Sequence, residues 1–141
     1  MKITVAQLNY HIGNFEGNLE KMLHAVKKAK TENSDIVCFS ELATCGYPPR
    51  DFLEFPDFIE RSNACLDSLM EVSHDIGIVV GAPCVNPEAE GKDLFNSAYF
   101  LYEGKILAIQ HKSLLPTYDI FDEYRYFEPS RIYETFEFKG K

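Results

Sequence analysis

Nothing in this 141-residue sequence approaches the run of roughly 18–20 apolar residues that a membrane span requires. No stripe of Lys or Arg interrupts the acidic balance. With 14 basic against 22 acidic side chains and a net charge of -8, the chain would repel a phosphate backbone, so nucleic acid is not an expected partner. No Cys-x-x-Cys pair occurs among the four cysteines, Cys38, Cys45, Cys65 and Cys84. Three of them sit in apolar segments where a free thiol behaves as a small hydrophobe, which favours reduced thiols over disulfides or zinc. His11, His24, His74 and His111 share no spacing with Cys or Asp that would suit a metal. No Gly-rich phosphate loop is present, and the crowded Asp119, Asp122, Glu123 and Glu128 lack the glycine at which a calcium loop turns. No metal is expected. Residues 1–5 run straight into a strand pattern without the zones of a signal peptide, so the expected compartment is the cytoplasm, with no membrane partner.

What is there suffices for one domain with a core: 45% of residues are hydrophobic and 13% aromatic. Residues 2–8 alternate as a strand does. Leu19, Met22, Leu23, Val26 and Ala29 then recur at helical spacing, and residues 35–39 form a short apolar run of the kind a parallel sheet buries on both faces. Pro56 opens a second helix with an expected inner face of Ile59, Leu66, Leu69 and Met70. Residues 76–81 read as a third buried strand. Residues 95–102 and 106–110 read as a hairpin across a three-residue turn at 103–105, and residues 86–92 as an excursion between strands. The expected class is α/β with a mixed sheet. The segment 136–141 stops where another strand would begin, so the chain is expected to be incomplete at its C-terminus.

Two charged residues stand at the ends of expected strands. Glu41 follows the apolar run 35–39 and precedes a Gly-Tyr-Pro-Pro loop, and Lys112 follows the hairpin in His-Lys-Ser-Leu-Leu-Pro. Each has a plain reading, as a cap or as one half of a structural salt bridge. Each also has a chemical one, because open α/β sheets bind ligands at strand termini, where a carboxylate can act as a general base and an ammonium can stabilise an oxyanion. A nucleophile is missing from that set.

Three segments carry a resemblance: "ITVAQLNYHIGNFEGN", "FSELATCGYPPRDFL" around Glu41, and "HKSLLPTYDIFDEYRYFEP" around Lys112. They resemble the nitrilase (carbon-nitrogen hydrolase) superfamily, most closely the glutaminase domains of the glutamine-dependent NAD synthetases. The resemblance covers nearly the whole chain, residues 1–141, and implies an αββα sandwich that pairs with a second copy as a homo-oligomer. It also implies a Glu-Lys-Cys triad that hydrolyses the amide of glutamine through a thioester. On that resemblance Glu41 is the base and Lys112 the cation beside the tetrahedral intermediate. Tyr47 helps form the glutamine pocket, Tyr118 and Phe121 line it or the ammonia exit, and Glu123 is the second carboxylate that positions Lys112. The aromatic three could equally be packing residues. No cofactor is expected in this segment; ATP and magnesium would belong to a synthetase domain that is not in it.

The sequence departs from the family at the nucleophile. The family's cysteine follows the lysine after another strand, and none of Cys38, Cys45, Cys65 or Cys84 has that position. Cys45 is four residues from Glu41 but lies in the substrate loop, where the resemblance gives a thiol no role. The expectation is therefore about half of a glutaminase domain, inactive by itself. A stand-alone nitrilase-family amidohydrolase and a non-catalytic binding or assembly module are the alternatives.

Overall fold

The computed structural model describes residues 1–88 and 90–141; Ala89, inside the expected excursion 86–92, lies outside the described residues. The elements run β1 (Ile3–Val5), α1 (Phe15–Thr31), β2 (Ile36–Cys38), a 3-10 turn (Arg50–Glu54), α2 (Pro56–Glu71), β3 (Gly77–Val85), β4 (Leu94–Tyr102), β5 (Lys105–His111) and α3 (Glu123–Tyr126). They build one five-stranded sheet in the order β1-β2-β3-β4-β5. The first three strands are parallel and the last two antiparallel, as the sequence predicts for a mixed α/β sheet. Parallel neighbours need crossovers, and right-handed crossovers that step the same way leave their helices on one face. Accordingly α1 and α2 pack side by side against the same side of the sheet. The chain thus forms one helical layer over one β layer.

Helix α1 begins where the Asn14 side chain accepts from the Gly17 N–H at 3.1 Å, satisfying one orphan donor of the first turn. Glu16 near its start and Lys28 and Lys30 near its end oppose the helix dipole. Its buried stripe, Met22, Val26 and Ala29, meets Leu66 and Leu69 of α2 over Val37, Ile78, Val80, Ala82, Tyr99 and Leu101 of the sheet. Each large side chain buried there contributes about 1.5–3 kcal/mol. In α2, Pro56 occupies the first turn, where its missing N–H costs nothing. The inner face is wider than expected: Phe58 and Cys65 are buried as well. They join Phe15, Leu42, Cys45, Leu53, Ile59, Leu94 and Phe127 in a second apolar cluster beneath the loops after β2 and around α3. That cluster anchors the loops carrying Tyr47 and Glu123.

Two expectations need correction. The hairpin turn has two residues, not three. Glu103 (φ 53°) and Gly104 (φ 72°) both adopt left-handed backbone, as a type I′ turn demands, and Lys105 already pairs with Tyr102. Segment 136–141 forms no strand. Instead Phe136 and Phe138 pack on Phe100, with ring centroids at 4.9 and 5.0 Å, and Lys139 Nζ reaches Asp35 Oδ1 at 2.7 Å. Buried aromatic surface and one ion pair hold the segment across the sheet face that the helices leave free.

On that same face, at the opposite end, the chain leaving β2 crosses over β3 at Gly81. A Cβ built on Gly81 would lie 2.4 Å from the Leu42 nitrogen and 2.7 Å from the Ser40 oxygen, so only glycine admits the crossing. Leu42 takes up a left-handed conformation (φ 47°), which costs a branched residue about 1–3 kcal/mol. Its side chain is fully buried in the second cluster, and that burial offsets the strain. Glu41, between the two, is turned over the sheet.

Candidate active site

The crossing at Gly81 and the end of β5 bring two sequence-distant charges together. Lys112 Nζ lies 2.7 Å from Glu41 Oε1, and the same ammonium lies 2.8 Å from Glu123 Oε2. The lysine backbone is fixed as well: its N–H donates to the Asn96 carbonyl at 2.8 Å, and its carbonyl accepts from the Ser130 N–H at 3.1 Å. Lys112 is part-buried, and Glu123, 5% exposed, is the most enclosed carboxylate of the group. A charge that deep requires paired hydrogen-bond partners. Glu123 has them: Lys112 on Oε2 and the Tyr47 hydroxyl, donating at 2.7 Å, on Oε1.

Tyr47 leads into an aromatic wall. Its ring centroid is 6.3 Å from that of Phe121, which stands 5.5 Å from Tyr118 in an edge-on arrangement. Tyr47, Phe121 and Glu123 line one cavity with Leu42, Pro48 and Phe127. Tyr118, 68% exposed, does not line that cavity and touches it only through Phe121. On the other side of the ion pairs, Phe39, Glu41, Val79, Gly81, Asn96 and Lys112 border a depression in the sheet face of about 330 Å³. All six residues singled out in the sequence, Glu41, Tyr47, Lys112, Tyr118, Phe121 and Glu123, therefore lie in one neighbourhood.

The electrostatics fix protonation states. Burial pulls Lys112 down, but the hydrogen bonds and charges of Glu123 and Glu41 outweigh it, and the ammonium is held above the ordinary lysine value. Burial, then the carboxylate of Glu123, pushes Tyr47 far above the tyrosine range, so its hydroxyl keeps the proton it donates. A fixed cation beside a carboxylate can stabilise a developing oxyanion while the carboxylate moves protons.

The thiols are placed elsewhere. Cys45, fully buried, hydrogen-bonds the Leu42 and Gly46 carbonyls and is pushed up to about 12 by burial, so it is a protonated packing residue. Cys65 is likewise buried and pushed up to about 11 by burial. None of the four cysteines borders the depression beside Glu41 and Lys112. Among the described residues no group of three or more His, Cys, Asp or Glu side chains is placed to hold a metal ion, and no helix is long and apolar enough to cross a membrane.

One residue of the site was not read from the sequence. Asn96, on β4 and 3% exposed, donates from Nδ2 to Glu41 Oε1 at 2.5 Å. The available signal was its position: it alternates with Ala98 and Phe100 on a strand otherwise apolar on that face. A lone amide among apolar neighbours requires a partner.

Comparison with known proteins places the chain. The carbon-nitrogen hydrolase family profile matches residues 2–140. The glutamine-dependent NAD(+) synthetase of Synechocystis sp. is 42% identical over 142 residues, covering 98% of this chain and 25% of that protein. The enzyme of that name from Aquifex aeolicus is 37% identical over 129 residues, covering 90% and 22%. Among solved structures, the glutamine-dependent NAD+ synthetase from Acinetobacter baumannii, in complex with ADP, superposes with a TM-score of 0.89 at 34% identity, over 98% of this chain and 26% of that one. An amidase from Nesterenkonia sp. shares the fold, with a TM-score of 0.77 at 20% identity over 94% and 49%. The chain spans about a quarter of the length of the curated relatives it matches. Its α/β fold is that of the nitrilase superfamily, it is similar to glutamine-dependent NAD synthetases, and with the profile matched over nearly its full length the chain belongs to the carbon-nitrogen hydrolase family.

Proposed function

We propose that this chain is the N-terminal part of the glutaminase domain of a glutamine-dependent NAD synthetase. It contributes Glu41 and Lys112 to a Glu-Lys-Cys triad whose thiol lies outside these residues. The observation that carries the reading is the single ammonium of Lys112 gripped by two carboxylates, Glu41 at 2.7 Å and Glu123 at 2.8 Å, beside an aromatic wall.

In this reading Glu41 takes the proton of the cysteine thiol, and the thiolate sulfur attacks the amide carbon of glutamine. The C=O electron pair moves to oxygen, where Lys112 offsets the charge. Collapse of that intermediate breaks the C–N bond, and the nitrogen leaves as ammonia with the proton from Glu41. Glu41 then takes a proton from water as its oxygen attacks the thioester, and returns it to the departing sulfur, giving glutamate and free thiol. Glu123, anchored by Tyr47, keeps Lys112 aimed, while Tyr47, Phe121 and Tyr118 wall the glutamine side chain. Ammonia passes to a domain that uses ATP and magnesium to amidate deamido-NAD. Without the thiol the chain alone releases no ammonia, because such a catalytic unit loses nearly all activity when one member is removed.

The test is ammonia release from glutamine by the protein carried through the length of its curated relatives. Turnover that Glu41→Gln and Lys112→Ala each reduce by about 10³-fold or more supports the reading. Unchanged turnover in either variant removes that residue from the triad.

A further inference from the structure

We infer that Asn96 is the positioning residue of the Glu41 base: it pins one carboxylate oxygen and so dictates which oxygen moves protons. The inference rests on the proposed amide hydrolysis for its kinetic consequences, though the geometry stands by itself. Asn96 is bonded to both members of the ion pair. Its side-chain Nδ2 donates to Glu41 Oε1, and its backbone carbonyl accepts the Lys112 N–H at 2.8 Å. One residue of β4 thereby sets both the lateral position of the carboxylate and the register of the strand end that carries the ammonium.

The two donors converge on a single oxygen. Lys112 Nζ and Asn96 Nδ2 both reach Glu41 Oε1, and among the described residues no protein group donates to Oε2. A carboxylate oxygen that already accepts two hydrogen bonds, one charge-assisted, is the weaker proton acceptor of the two. Oε2 is therefore the basic atom. A lysine alone could not enforce this, since a flexible ammonium shared with Glu123 would follow either oxygen as the carboxylate rotated. Asn96 has no such freedom: it is 3% exposed and sits on a strand hydrogen-bonded on both sides. The burial also explains the amide. A carboxylate at this position would put a second negative charge against Glu41, and an apolar residue would offer no donor.

A merely structural Asn96 and a positioning Asn96 differ in what their loss does. Loss of packing lowers the fraction of folded protein, which a denaturation midpoint reads. Loss of the donor that aims the base slows turnover in the protein that is still folded, with KM little changed. The experiment uses the protein carried through the length of its curated relatives, with glutamine as substrate and three variants. Asn96→Asp keeps the shape but replaces the donor with an acceptor, Asn96→Ala removes the group, and Ser97→Ala cuts the 2.7 Å hydrogen bond between its own hydroxyl and Nδ1 of His111, on the opposite sheet face.

Expected for Asn96→Asp and Asn96→Ala are a drop in kcat of about tenfold or more per folded protein and a KM within about twofold of wild type. Ser97→Ala should keep the wild-type kcat and KM. Asn96 variants that retain the wild-type kcat, while Glu41→Gln is inactive, overturn the inference and leave the functional reading standing. Should the wild-type protein release no ammonia, the functional reading fails and a crystal structure of Asn96→Ala decides the inference: a Glu41 carboxylate rotated away from Lys112 supports it, and one unmoved overturns it. If Asn96→Ala does not fold, the same comparison is made on Asn96→Asp.

Discussion

The Tyr47 hydroxyl donates to Glu123 Oε1 at 2.7 Å across 76 positions of sequence. This contact joins the loop after β2 to the segment after β5, and it holds the deepest charge in the site. Tyr47→Phe keeps the ring against Phe121 but leaves one oxygen of a buried carboxylate without its donor. The expected cost is about 1–3 kcal/mol of stability, read as a lower urea midpoint at unchanged m-value. An unshifted midpoint would mean that water takes over the bond and that the contact ties nothing down.

Alkaline conditions probe the same cluster. Lys112 binds its proton more tightly in the folded chain than an ordinary lysine does, owing to Glu123 and Glu41 despite burial. Its contribution is therefore fully present below the unfolded lysine value, about 10.4, and is lost as pH rises through the raised native value. Tyr47, raised by burial and by Glu123, acts with the same sign. Denaturation midpoints should hold from pH 8 to about 10 and fall above it, and Glu123→Gln should flatten that fall relative to wild type. An equally steep fall in the variant would dissociate Glu123 from it.

Gly81 is predicted to be the least replaceable glycine near the site. Adding a methyl group places carbon 2.4 Å from the Leu42 nitrogen, a backbone atom that cannot swing aside. Gly81→Ala should cost about 1–3 kcal/mol and displace Glu41 from Lys112. Thermal denaturation reads the first effect and crystallography the second. A variant as stable as wild type with Glu41 in place would show that the crossing segment yields easily.

Cys45 should behave as a buried methylene. In the native chain at pH 8 iodoacetamide should leave it unmodified, while urea exposes it to full alkylation, and Cys45→Ala should leave ammonia release by the longer protein intact. Rapid native alkylation, or activity lost with the substitution, would return it to consideration as a nucleophile.

Much of this was legible locally. Apolar runs and helical spacing carry the β-α-β-α order, and strand-end positions single out Glu41 and Lys112, which the fold brings to 2.7 Å. What stayed hidden depends on distant chain segments. Asn96 finds Glu41 from 55 residues away, and nothing in its own strand announces the partner. The left-handed Leu42 is invisible for a similar reason: propensity disfavours that backbone in leucine, and only the absent side chain of Gly81 and the second apolar cluster make it acceptable. The hairpin turn is one residue shorter than its sequence suggests because Glu103, an unusual occupant of left-handed backbone, stands where Asn or Asp would signal a type I′ turn. The segment 136–141 alternates like a strand, yet Phe138 buries against Phe100 and Tyr102 and the half-exposed Phe136 rests on Phe100, without strand pairing.

The central claim is that Glu41 and Lys112 serve a thiol that is none of the four cysteines here, and covalent trapping tests it most directly. The protein carried through the length of its relatives is treated with a diazoketone analogue of glutamine, digested, and mapped by mass spectrometry. The account predicts one adduct on a cysteine beyond Lys141, lost or slowed by about 10³-fold in Glu41→Gln. An adduct on Cys38, Cys45, Cys65 or Cys84, or labelling as fast in Glu41→Gln as in wild type, would contradict it.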